Sequence, residues 1–71
     1  MNSKYKKVIE ILHRERCKKK MTQIDIAKKL NKPQSYIAKY ETFVRCLDVV
    51  EFMEICEVLG IRPSKVMVLA Q

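Results

Sequence analysis

The sequence predicts an all-α domain of five short helices and no sheet. Three observations carry that prediction. Apolar residues recur at the helical spacing of three and four rather than in alternation. The recurrences are bracketed by residues that start helices (Thr22, Pro33, Asp48, Pro63) or stop them (Asn31, Gly60). One Gly and two Pro in 71 residues leave little for long loops, and no repeat, low-complexity segment or linker interrupts the chain. Residues 1–71 therefore read as one domain.

The first helix is expected over residues 4–18. Tyr5, Val8, Ile9 and Leu12 fall at i, i+3, i+4 and i+7, one amphipathic stripe. Four places further on stands Arg16, then Cys17, which is read at an apolar position as a small hydrophobe. An arginine ending an apolar stripe has two readings. It is buried and paired, with Glu41 as the acid to receive it, or it reaches water along its stem. Pattern alone leaves both open. Lys18, Lys19 and Lys20 then form a solvated link that can also meet phosphates, without reading sequence.

The stretch MTQIDIAKKLNKPQSYIAKYE reads as two short helices and a tight turn, over about residues 22–41. Thr22 caps the first, and Asp25 completes a weaker capping box. Ile26, Ala27 and Leu30 make its apolar stripe. Asn31 tolerates the left-handed backbone that ends a helix. Pro33 fits the first position of the next helix, where its missing N–H costs nothing. Ile37 and Tyr40 turn inward, which leaves Gln34, Ser35, Ala38 and Lys39 on the solvent face. Gln suits adenine, Lys suits guanine and Ser suits either, so a helix showing them near its N-terminus suits the major groove. An ordinary polar outer face has the same composition, and context separates the two.

Residues 42–47 form a loop with Phe43, Val44 and Arg45. Asp48 caps the fourth helix with Glu51 as its box partner. Val49, Phe52, Ile55, Cys56 and Leu59 are its inward stripe, and Gly60 ends it. Ile61 packs back, Pro63 begins the last helix, and Val66 and Leu69 are expected in the core. Glu51, Glu54 and Glu57 are expected outside, away from any nucleic-acid face. Val50, Met53, Met67 and Ala70 remain as apolar residues on outer faces near one end. Such a gathering points to a homodimer through the C-terminal helices.

Charge supplies the context. The chain carries +7, and its placement is uneven. Residues 1–45 hold 13 of the 15 Lys and Arg against four acids, giving +9; residues 46–71 hold two against four, giving −2. Positive charge thus gathers around the two-helix stretch, and a polyanion is its natural partner. Several other classes are disfavoured. No apolar run approaches the ~18 residues of a membrane span. The N-terminal MNSKYKKVIE lacks the apolar core of a signal peptide. Cys17, Cys46 and Cys56 are odd in number and read as reduced thiols of the cytoplasm. A domain this small, which buries roughly 60% of its unfolded surface, has no room for a large catalytic cleft. No enzyme activity, cofactor or small-molecule ligand is expected. His13 and Cys17 stand at i, i+4 as metal ligands can, but a site needs two more, and Cys46 and Cys56 lack the paired spacing. Catalysis by the same pair needs a cleft and a third, orienting group, and neither shows in the sequence.

With these residues in view, MTQIDIAKKLNKPQSYIAKYE followed by RCLDVVEFMEICEVLGI resembles the Cro and phage-repressor type of helix-turn-helix domain, the XRE family. The resemblance runs over about residues 12–69. It rests on a combination: an Arg in the first helix, Thr-Gln opening the second, Ala within it, Ile-x-x-Tyr-Glu ending the third, then Leu-Gly-Ile. It implies a lambda-repressor-like five-helix fold in a bacterial or phage protein associated with the nucleoid. Dimers would set one recognition helix in each half-site of double-stranded DNA. Base contacts map to Gln34, Ser35 and Lys39. Gln23 maps to a residue that touches the DNA backbone and buttresses the first recognition residue. Tyr36 maps to a phosphate contact, and so does the loop 43–46 with its backbone N–H groups and Arg45. Lys32 completes the expected backbone contacts. The resemblance also implies a buried Arg16–Glu41 ion pair. Three positions depart from it: Asn31 stands for the usual turn Gly, no Gly stands near Thr42 or Phe43, and Pro33 replaces a capping Ser or Thr.

Two functions follow. The first is a sequence-specific DNA-binding regulator, repressor-like. The second is a protein-interaction module, such as an antitoxin-like or adaptor subunit, because a fold alone does not fix function.

Overall fold

The computed structural model describes residues 2–71, in which five α-helices form and no strand does: α1 (Ser3–Lys18), α2 (Gln23–Leu30), α3 (Gln34–Glu41), α4 (Val49–Leu59) and α5 (Pro63–Leu69). Each helix gives the core at least one side chain with no exposed surface: Leu12, Ile26, Ile37, Ile55 with Leu59, and Val66. Each such burial contributes about 1.5–3 kcal/mol. α1 packs on α3, α4 and α5, while α2 packs on α3 and α4. The α2–α3 pair is thereby held against the rest of the domain with one side left outward.

The starts of the helices follow local chemistry. Asn2 accepts from the Lys4 amide at 2.8 Å and caps α1. Thr22 and Asp25 form a full capping box, as do Asp48 and Glu51. Pro63 occupies the first turn of α5. Pro33 is the cap residue itself, and α3 begins one residue later, at Gln34. Its extended backbone, ψ 156°, is what a cap position takes.

The ends share one device. Met21, Lys32, Val44 and Ile61 donate their amides back to the carbonyls of Arg16, Ala27, Lys39 and Cys56, at 2.8–3.1 Å. The residue before each donor is left-handed: Lys20, Asn31, Phe43 and Gly60, with φ of 57°, 57°, 65° and 70°. This is the Schellman closure, and only one of its four sites holds the glycine that suits it best.

Several expectations are corrected. Cys17 is exposed, because the α1 stripe runs through Leu12 to Arg16 and Cys17 lies about 100° further round. Ile11 is buried as well. Val49 and Leu69 are 63% and 53% exposed, and Ala70 is buried instead of outward. The α4 stripe starts at Phe52, and α5 turns Val66 and Ala70, four apart, toward the core. Tyr5 packs against the core and also accepts the Leu47 amide on its hydroxyl at 3.0 Å, tying α1 to the loop before α4.

Candidate nucleic-acid interface

The outward side of α3 is built by what lies behind it. Ile37 and Tyr40 fix one side of this eight-residue helix in the core. Gln34, Ser35 and Lys39 are then exposed, and Ala38 is half-buried. α3 has no side-chain cap, so its first turn keeps amides open to an outside acceptor.

A buried network joins this helix to α1 and α2. Glu41 ends α3 with its carboxylate 5% exposed. Arg16 reaches it through two hydrogen bonds, Nε to Oε2 at 2.7 Å and Nη2 to Oε1 at 3.0 Å. Its remaining Nη1 donates to the Met21 carbonyl at 2.8 Å, which pins the α1–α2 turn. Gln23 donates to Glu41 Oε1 at 3.0 Å and accepts from Gln34 Nε2 at 3.3 Å. An unbroken chain thus runs from the buried guanidinium to the first exposed residue of α3. Burial pushes the Glu41 carboxyl up, but the bonds from Arg16, Gln23 and His13 outweigh it and hold the group below the usual carboxylate range. The bond to Glu41 raises the Arg16 guanidinium in return.

Beside this lies a second cluster. Lys32 Nζ stands 5.4 Å and Arg45 Cζ 4.8 Å from the centre of the Tyr36 ring, and Tyr36 meets Tyr40 edge-on at 5.8 Å. Two cations from separate loops thus share one half-buried aromatic ring.

The family model for helix-turn-helix domains matches residues 12–66. The chain belongs to that family, in its Cro and phage-repressor type. Comparison with curated proteins and with solved structures gives no match. Helix-turn-helix domains of this type bind double-stranded DNA, and α2 and α3 are the two helices of the motif here.

Against the sequence reading, this helix-turn-helix brings Lys32, Tyr36 and Arg45 together and sets Gln23 directly behind Gln34. Its loop departs in one respect. The amides of Phe43, Val44 and Arg45 bond to the carbonyls of Tyr40 and Lys39, so these three are spent within the domain. Glu51 is also not outside: it binds Arg45 Nη2 at 2.7 Å with 14% of its side chain exposed. That bond is the chief reason its carboxyl lies below the usual range.

His13 was not read as part of the site, yet its Nδ1 lies 3.1 Å from Glu41 Oε1. The signal was present in its spacing of three from Arg16 on α1. Among the described residues, no helix is long and apolar enough to cross a membrane.

Proposed function

We propose that this domain is a sequence-specific transcriptional regulator, repressor-like, that reads the major groove with α3. The observation that carries the reading is Gln34, exposed at the start of α3 with its amide steadied from behind by Gln23. A side chain aimed in advance loses less freedom when it binds a base edge. Ser35 and Lys39 extend the same face. Gln23, Lys32, Tyr36 and Arg45 supply backbone contacts, and the excess positive charge of residues 1–45 supports a polyanionic partner.

The apolar surface of Val49, Val50, Met53, Met67, Val68 and Leu69 supports homodimerisation through α4 and α5. Two recognition helices would then enter half-sites roughly 34–36 Å apart. The same surface also suits a different protein, as an antitoxin-like or adaptor subunit would require.

Selection of bound sites from random duplex DNA tests the reading. A two-fold symmetric motif is expected, and Gln34→Ala should lose preference at one position per half-site, worth ~1–3 kcal/mol. No enriched motif, together with a stoichiometric protein partner from co-purification, would favour the interaction module.

A further inference from the structure

The spacing of His13 and Cys17 takes on chemistry once Glu41 is in place. His13 Nδ1 lies 3.1 Å from Glu41 Oε1. A lone pair on Nδ1 would set two acceptors against each other at that distance, so Nδ1 carries the proton and donates it. Arg16 Nη2 also comes within 3.3 Å of Nδ1, but it gives one of its two hydrogens to Glu41 Oε1 at 3.0 Å, the same oxygen that faces Nδ1 at the shorter distance. With Nδ1–H bound to that carboxylate, the neutral form of the ring presents its Nε2 lone pair to Cys17 Sγ, 3.7 Å away. Thiol, base and orienting carboxylate stand in sequence, with the carboxylate buried and the thiol exposed.

The three cysteines of this chain differ in the way such a site requires. Cys17 and Cys46 are both exposed, while Cys56 is buried, and burial pushes its thiol up to about 11. Of the two exposed thiols, Cys17 is the one hydrogen-bonded to an imidazole. It sits in the last turn of α1, among cations. Those cations are abundant. Lys18 and Lys19 share the single carboxylate of Glu15, at 3.3 and 3.6 Å, and Arg14 and Lys20 flank the same turn.

We propose that Cys17 is a thiol-modification site, with His13 as its base and Glu41 orienting that base, and that it takes anionic low-molecular-weight disulfides. His13 Nε2 accepts the Sγ proton, and the thiolate attacks one sulfur of the disulfide. A new S–S bond forms to Cys17 as the old one breaks. The departing thiolate recovers the proton from His13, so Cys17 is oxidised and the released sulfur is reduced. The site shares Glu41 with the network behind Gln34, but its reaction requires no nucleic acid.

The test is mass spectrometry of each cysteine after timed exposure of the full chain to oxidised glutathione. Cys17 should form the mixed disulfide at least ~10-fold faster than Cys46, a threshold set below the roughly 10²–10⁴-fold that a positioned base typically supplies. His13→Gln, at a side chain 51% exposed, should bring Cys17 down to the rate of Cys46 and leave Cys46 unchanged. Cystamine, a cationic disulfide, should react more slowly than oxidised glutathione at Cys17. Equal rates at Cys17 and Cys46 in the unaltered chain, or a lead at Cys17 that survives His13→Gln, would overturn the site. Cystamine matching oxidised glutathione would overturn the anionic class.

Discussion

Arg16 Nε lies 2.7 Å from Glu41 Oε2, and the two side chains are only 10% and 5% exposed. The pair joins the first helix to the last residue of the third across 25 positions of sequence. It is bidentate, and the spare guanidinium nitrogen and carboxylate lone pairs are taken by Met21, Gln23 and His13. A buried pair of this kind is costly to break from one side, because the survivor stays charged away from water. Arg16→Met is expected to destabilise the domain by about 3–5 kcal/mol. Small domains hold little more than that in total. Urea unfolding followed by circular dichroism should therefore find Arg16→Met with little stability left near 25 °C. Arg16→Lys, which keeps the charge and loses the fork, should fall between the two.

Acid should act through the same carboxylate. Glu41 is held below its ordinary value in the folded state, so folding favours the deprotonated form. Its contribution is complete above the unfolded value, about 4.3, and is lost as pH falls through the lower, folded one. Glu51, lowered by Arg45, and Asp25, lowered by the Thr22 amide, act in the same direction. The urea midpoint should stay level from pH 7 to about pH 5 and then fall. Glu41→Gln should begin lower and fall less steeply.

The left-handed helix ends allow stability to be gained. Lys20 has φ 57° and an exposed side chain. An L-residue with a Cβ pays about 1–2 kcal/mol there, and glycine returns part of it as unfolded-state entropy. Lys20→Gly should stabilise the domain by about 0.5–1 kcal/mol. Phe43→Gly relieves a similar φ of 65° but removes a ring packed on the core beside Lys6, so it should destabilise. Denaturation midpoints of both variants check the opposite signs.

Those two positions also show where sequence reading stopped. Thr22, Asp48, Asn31 and Gly60 act through their own side chain, or the lack of one, so their helix ends were visible in the letters. Lys20 and Phe43 take the same backbone without any local preference for it, because packing on either side fixes the turn. The core stripes of α1 to α4 are legible as periodicity, whereas Cys17 and Leu69 lie one residue off the buried stripe of their helix and Val49 lies a turn before its own begins. An amphipathic pattern alone leaves Arg16 open, because it does not reveal a partner 25 residues away; the family resemblance is what points to Glu41. The cluster of Lys32, Tyr36 and Arg45 and the carboxylate of Glu51 beside it depend on how the loop before α4 closes. No spacing encodes that.

Glu51 yields the sharpest test of the proposed interface. Its carboxylate binds Arg45 at 2.7 Å, at the position expected to meet phosphate. While that bond holds, Arg45 offers DNA only part of its charge, and the carboxylate repels the backbone. Glu51 also donates nothing that glutamine lacks as a cap partner: it accepts from the Asp48 amide at 2.9 Å, and a glutamine oxygen does the same. Glu51→Gln should thus keep the helix cap, lose only the modest stability of the ion pair, and free Arg45. Affinity should rise by roughly threefold to tenfold on operator and random duplex alike, because phosphate contacts carry no sequence information. The slope of log K against log salt should steepen by about one, as one more phosphate is neutralised. Arg45→Ala should show the reverse, and combining it with Glu51→Gln should erase most of the gain. Fluorescence anisotropy across a salt series reads all of this. An unchanged slope in Glu51→Gln would mean that Arg45 does not face the duplex.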